Sequence, residues 1–185
     1  TSTDAITMTV NAEAASAATQ AADLVSLNGN TNQAIIMTAV SSVSGNYADL
    51  LDIYVTNKTQ YTGIGDETVT ITGSVSATQA DTIADATSGS VSATINSDTA
   101  ANLNAALNDS GSQVNAYTLT VSDSGTTLAS DLTSLDSKTS VTVNATAVTS
   151  IGGTANEIAI AVAATGINTS STYNVSVTGG TVATV

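Results

Sequence analysis

One recurring unit constrains this chain more than any other feature: an alternating β-type run, a polar turn, then a short segment whose apolar residues have helical spacing. Strand-like runs begin near Ile6, Ala34, Val69, Ser90, Tyr117, Val141 and Tyr173, separated by 28, 35, 21, 27, 24 and 32 residues. In Val69-Thr70-Ile71-Thr72, Tyr117-Thr118-Leu119-Thr120-Val121 and Val141-Thr142-Val143, β-branched residues alternate as a pleated surface requires.

Helical segments are expected between these runs. The clearest runs from Ser97 to Leu107, with Ser97 or Asp98 as its amino-terminal cap, Leu103 and Leu107 on one face, and Gly111 helping to stop it. The same plan recurs in Ser124 to Leu135, where Leu128, Leu132 and Leu135 share a stripe, and in Thr154 to Val162, where Ile158 and Val162 are four apart. Earlier copies lie in Ala17 to Leu27, from Tyr47 through Leu51, and in Gln79 to Ile83; an Asp or Asn beside the apolar residue is their nearest common mark.

A strand plus two or three helical turns cannot bury an apolar face alone, so neighbouring copies must stack. Long crossovers between strands then favour parallel pairing. The expected fold is a β-rich α/β solenoid, one repeat-built domain over residues 1–185 with about six to seven strand-helix units. An all-β sandwich from the same strands is the alternative.

Composition agrees with thin layers. Apolar residues make up 42% of the chain, yet Phe, Trp, Cys and Pro are absent and five Tyr supply the only aromatic area. Such a core is built from Val, Ile, Leu, Ala and Thr methyls, which fill a narrow interior better than a thick one. No shift in composition marks a domain boundary, and Gly152-Gly153 and Gly179-Gly180 read as tight turns.

Fifteen acids face two bases, Lys58 and Lys138. This surface repels phosphate backbones and anionic lipids, so no nucleic-acid partner is expected, and no apolar run is long enough for membrane insertion. No signal peptide is visible, and a chain beginning at Thr1 is expected to be a processed form or an excised segment. Converging carboxylates make calcium possible, but the metal ligands are unknown: Asp66-Glu67 and Asp81 with Asp85 are the best acidic pairs, and solvated loop and helix charge explains both.

The absence of His and Cys removes the usual general base, the thiol nucleophile and the common zinc ligands together. No catalytic residues and no cofactor are expected, and the chain does not read as an enzyme. Five glycosylation-type triplets, at Asn57, Asn108, Asn144, Asn168 and Asn174, are what chance gives in a chain rich in Asn, Ser and Thr.

Ser97-Asp98-Thr99-Ala100-Ala101-Asn102-Leu103 and Ala116-Tyr117-Thr118-Leu119-Thr120-Val121-Ser122-Asp123, within Ser90 to Ser150, resemble degenerate repeats of very large secreted proteins of aquatic bacteria, of surface-layer, adhesin or extracellular-filament type. That resemblance implies a long, non-catalytic array at the cell surface or outside the cell, often associated with calcium elsewhere in such proteins. No Gly-Gly-x-Gly-x-Asp series occurs, so ligands of that type do not carry over.

The chain ends sharpen the functional expectation. Ile6, Met8 and Val10 at one end and Tyr173, Val175 and Val177 at the other are strand-like and lack an obvious polar capping repeat beyond them. These residues are expected to be assembly strands, the chain being its own partner in a filament, sheath or surface layer. The competing reading is an adhesin stalk or binding module, calcium-dependent or recognising glycan or, through its Thr-x-Thr runs, ice.

Overall fold

Alternation along the central strands sets the inside of the protein. Val69 and Ile71 are buried while Thr68, Thr70 and Thr72 face solvent; Tyr117, Leu119 and Val121 repeat the pattern with every inward residue fully buried. In the computed structural model, which describes residues 5–11, 18–108 and 114–179, such strands alternate with short helices.

The order is β1 (Thr19–Gln20), α1 (Ala21–Asn28), β2 (Ile35–Ile36), β3 (Ser42–Gly45), α2 (Tyr47–Leu51), β4 (Tyr61–Thr62), β5 (Thr68–Val75) and α3 (Ala77–Ala84). It continues with β6 (Val91–Ile95), α4 (Ala100–Ala106), β7 (Ala116–Thr118), β8 (Thr126–Leu128), α5 (Ala129–Ser137), β9 (Val143–Ala145), β10 (Ser150–Gly153), α6 (Ala155–Ala163), β11 (Ile167–Thr169) and β12 (Asn174–Val177). A π-helical turn, Asp52–Thr56, and a 3₁₀ turn, Lys58–Gln60, extend α2.

The sheets run β1-β3-β5-β6-β7, β8-β10-β12, β9-β11 and β2-β4, and every pairing among the described residues is parallel. The protein is therefore mixed α/β with parallel sheets and no closed barrel; its helices rule out the all-β sandwich. Equivalent residues recur at 24 positions in most pairs: Thr19 with Val43, Ser92 with Ala116, Val143 with Ile167, and Thr126 with Ser150 and then Asn174. The spacing stretches to 26 between β3 and β5 and shrinks to 22 where β5 meets β6, whose register then slips by two residues around Gly73, at φ +80°.

This regularity is tighter than the strand starts imply, because those starts mix two rows of strands. Ile35 pairs with Tyr61, and Thr68 lies seven residues further on in another sheet; the same step of seven separates Ile35 from Ser42, Val143 from Ser150 and Ile167 from Asn174. Inward residues consequently stack in columns such as Thr19, Val43, Val69 and Val91. Burying each such valine contributes about 1.5–3 kcal/mol.

The helices differ from expectation in detail. Thr99, not Ser97 or Asp98, caps α4, its hydroxyl accepting from the Asn102 N–H at 3.2 Å, while Asp98 Oδ1 accepts from the Thr99 N–H and the Asn102 amide. Leu103 and Leu107 are both buried as expected, and Gly111 lies outside the described residues. Leu128 ends a strand and is half exposed; Leu132 and Leu135 form the buried stripe of α5, with Ala129 one turn before. In α6 the buried residues are Ile158 and Ala161, and Val162 faces solvent. Val141 lies outside β9 with an exposed side chain, and Gly152-Gly153 is the end of β10, not a turn. A Cβ on Gly152 would come within 2.6 Å of the Thr126 methyl on the adjoining strand.

Three buried threonines hold the corner that follows a helix. Thr31, Thr87 and Thr139 sit two or three residues past α1, α3 and α5, and each donates its hydroxyl to a carbonyl of the preceding unit: Ile6 at 2.8 Å, Glu67 at 3.2 Å and Tyr117 at 2.8 Å. Each hydroxyl also accepts from the N–H two residues on, in Gln33, Gly89 and Val141. After α4 the position belongs to Asn115, whose amide oxygen accepts from the Val91 N–H at 2.8 Å.

Thr127 is equally buried, but its hydroxyl has no hydrogen-bond partner. The same exchange is thus expected to act oppositely at two sites. Thr139→Val strands two backbone groups and should cost about 1–3 kcal/mol, whereas Thr127→Val removes an unmatched hydroxyl and should stabilise by about 1 kcal/mol in urea titrations. Breaking the capping box of α3, in which Ser76 and Gln79 satisfy each other's N–H, by Ser76→Ala should cost about 1 kcal/mol in the same assay.

Candidate functional site

The β8-β10-β12 sheet gathers three of the apolar residues that the sequence singled out. Thr127, Ile151 and Val175 are register partners on β8, β10 and β12. The first two are buried, but Val175, at the same inward position, is 53% exposed because no strand among the described residues follows β12. Val177 is 55% exposed. Tyr173, half-buried just before β12, joins Val175, Val177, Ala155, Ile158 and Val162 in lining an open apolar groove of about 330 Å³ between β12 and α6.

The local sequence explains this geometry. Thr149 and Gly153 carbonyls accept from the Asn174 and Thr178 N–H groups at 2.9 and 2.8 Å, so β12 is fixed to β10 along its length. Thr154 and Glu157 form the capping box that starts α6, and the Thr154 N–H, then its hydroxyl, hold the Glu157 carboxyl below the usual carboxylate range. No charged side chain lines the groove.

The structure places Ile6, Met8 and Val10 elsewhere. They run beside β2: the Val10 N–H donates to the Ile36 carbonyl at 2.8 Å, and the Ile36 N–H donates to the Met8 carbonyl at 2.9 Å. Met8 and Val10 are half-buried, and Ile6 is exposed. The six expected assembly residues therefore form two separate groups, of which only Tyr173, Val175 and Val177 share a groove.

Of the acidic pairs, Asp66 is solvated but Glu67 is not. Only 1% of Glu67 is exposed; its Oε2 accepts from the Gly65 N–H at 2.8 Å and the Tyr54 hydroxyl at 3.3 Å, and Oε1 has no hydrogen-bond partner. Alternation held the signal, since Glu67 lies two residues before Val69 and four before Ile71 on the inward side. Asp81 Oδ1 accepts from the Asn108 N–H, and no group of three or more acidic, His or Cys residues converges among the described residues. Both lysines donate to backbone carbonyls, Lys58 to Ala86 and Lys138 to Leu107.

The Thr-x-Thr runs do not stack into one ladder. Ser44, Thr70 and Ser92 pair in succession and lead to Ala116, while Thr94 pairs with Thr118 beyond the register slip. No helix among the described residues is long and apolar enough to cross a membrane. No protein-family model matches the chain, and comparisons with curated proteins and with solved structures yield no match.

Two buried tyrosines give the region around Glu67 a pH signature. Burial, then the Glu67 carboxyl, raises the Tyr54 phenol far above its ordinary value; burial, then Asp52, pushes Tyr61 up to about 12. Unfolded tyrosines ionise near pH 10 and the folded ones resist, so their contribution to stability should be fully present below about pH 10 and be lost above it. Tyr61→Phe is expected to flatten that fall between about pH 10 and 12 in denaturant titrations, while leaving the neutral-pH slope unchanged.

Proposed function

We propose that this chain is a non-catalytic structural protein of the cell surface or extracellular space, a solenoid whose copies join end to end into a filament, sheath or surface layer. One observation carries the reading: Val175 occupies a core-facing position in a column of register partners and is left half bare at the last strand among the described residues. A column of this kind is completed by one more strand, and strand addition from a neighbour supplies it.

The regular parallel register favours the solenoid, since units that pair only with their neighbours stack without limit. The absence of His and Cys favours a non-catalytic role, and the resemblance of Ser90 to Ser150 to secreted repeats favours the location. Sedimentation of the intact chain at rising concentration should show growth beyond the monomer, with fibres or sheets in electron micrographs. Val177→Asp, which adds charge at an exposed site, should abolish growth with the circular dichroism unchanged; a persistent monomer of the intact chain would end the proposal.

A further inference from the structure

Five Asn-x-Ser/Thr triplets read as chance in the sequence, and the fold sets one of them apart. An Asn side chain suits attachment of an N-linked glycan when it is exposed, when its amide nitrogen is free, and when a hydroxyl stands two residues on. Asn144 meets all three conditions. It is exposed on β9, and the chain leaves that strand in a turn closed by the Val148 N–H on the Ala145 carbonyl at 3.1 Å. Asn144 Oδ1 accepts from the Thr146 N–H at 3.2 Å and from the Thr146 hydroxyl at 2.7 Å. A backbone N–H can only donate, so the atom it meets is the amide oxygen. The amide nitrogen has no hydrogen-bond partner among the described residues.

The other triplets lack this arrangement. Asn57 is half-buried, and its Nδ2 donates to Asp52 at 2.6 Å. Asn168 is an internal control: it is the register partner of Asn144 on β11 and also exposed, yet the Ser170 hydroxyl donates to the Thr172 carbonyl at 3.2 Å. Asn174 and Ser176 both lie within β12, with no turn between them. Ser110, the hydroxyl residue of the Asn108 triplet, lies outside the described residues.

Charge distribution supports the same position. From residue 139 to 185 the sole charged side chain is Glu157, in a protein of net charge −13. Carboxylates hydrate the surface elsewhere, whereas an oligosaccharide would hydrate this stretch without adding charge.

We propose that Asn144 is the attachment site of an N-linked oligosaccharide. The donor is an oligosaccharide carried on a lipid diphosphate, and the catalyst is a membrane-bound transferase of the secretory route. The Nδ2 lone pair forms a bond to the sugar C1 as the C1–O bond to the diphosphate breaks. The lipid diphosphate leaves with that electron pair, and one Nδ2 proton passes to a base of the transferase. Charge that develops on Oδ1 as the proton leaves is stabilised by the two Thr146 donors already in place. The glycan projects from the outer face of β9, whose buried residues are Val143 and Ala145. The proposal rests on the extracellular location argued above and not on assembly.

The test incubates the folded chain with a purified transferase that accepts plain Asn-x-Ser/Thr triplets and with a lipid diphosphate oligosaccharide, and locates the glycan by mass spectrometry. Asn144 should be modified several-fold faster than Asn168 and Asn57, and that preference should disappear after the chain is proteolysed, which removes the turn. Thr146→Val should lower the rate at Asn144 by about 100-fold, as loss of one donor to a developing oxyanion does. Asn144→Gln should abolish the added mass at that site with the circular dichroism unchanged. Equal modification of Asn144 and Asn168 in the folded chain, or modification of Asn144 only after proteolysis, would overturn the assignment. Fractionation of the native cells tests the location separately: a chain retained in the cytoplasm would end both readings, and a secreted chain bare at Asn144 would end this one alone.

Discussion

Backbone hydrogen bonding between strands about 24 residues apart is the constraint on which the rest of this structure depends. Inner strands such as β5, β6 and β10 pair with the units before and after them, so their backbone groups depend on both neighbours. Side chains at register positions then stack across units, in matched columns or in unequal pairs such as Ala93 with Tyr117. Columns such as Thr19, Val43, Val69 and Val91 hold small β-branched residues, which explains how a chain without Phe or Trp still excludes water from its centre.

Most polar groups enter that interior where the backbone demands them, with the Thr127 hydroxyl and the Glu67 Oε1 as exceptions. Thr31, Thr87 and Thr139 are buried because the chain, turning out of a helix, would otherwise leave an N–H and a carbonyl of the previous unit unmatched. Ser88 and Ser140, directly after two of these threonines, repeat the arrangement by donating to the Gly65 and Asn115 carbonyls. Close approach at the Glu67 corner is strict: a Cβ on Gly89 would stand 1.9 Å from the Glu67 carbonyl oxygen, so glycine alone fits there.

Helices were legible in the sequence because each carries two or three apolar residues at helical spacing and several begin at Ser, Thr or Asn. Short strands were not. Gly152-Gly153 reads as a turn by composition, and only the pairing of Ser150-Ile151-Gly152-Gly153 with Thr126-Thr127-Leu128 and Asn174-Val175-Ser176-Val177 makes it part of a strand. Two- and four-residue strands are defined by partners distant in sequence, which local propensity does not encode. The candidate site was half legible for the same reason: alternation marked Val175 and Val177, but the contribution of Ala155, Ile158 and Val162 depends on how α6 lies beside β12.

Electrostatics and packing act on different parts of the chain, and their separation gives the ends their character. Fourteen of the fifteen acids precede residue 139, so nearly all of the negative charge lies there, while Glu157 alone charges the region around the open groove. Lys58 and Lys138 do little to offset this, being two positive charges against fifteen negative ones. Acidic surface of this kind disfavours contact between copies, whereas apolar area is exposed beside β12. Raising the ionic strength screens the flanks, because exposed charges interact over about 10 Å at 0.1 M salt, and it leaves burial of Val175 and Val177 unaffected. On the end-to-end reading proposed above, added salt would relax the bias toward the groove and admit side-by-side contact, so the ionic environment would decide between single fibres and bundled sheets.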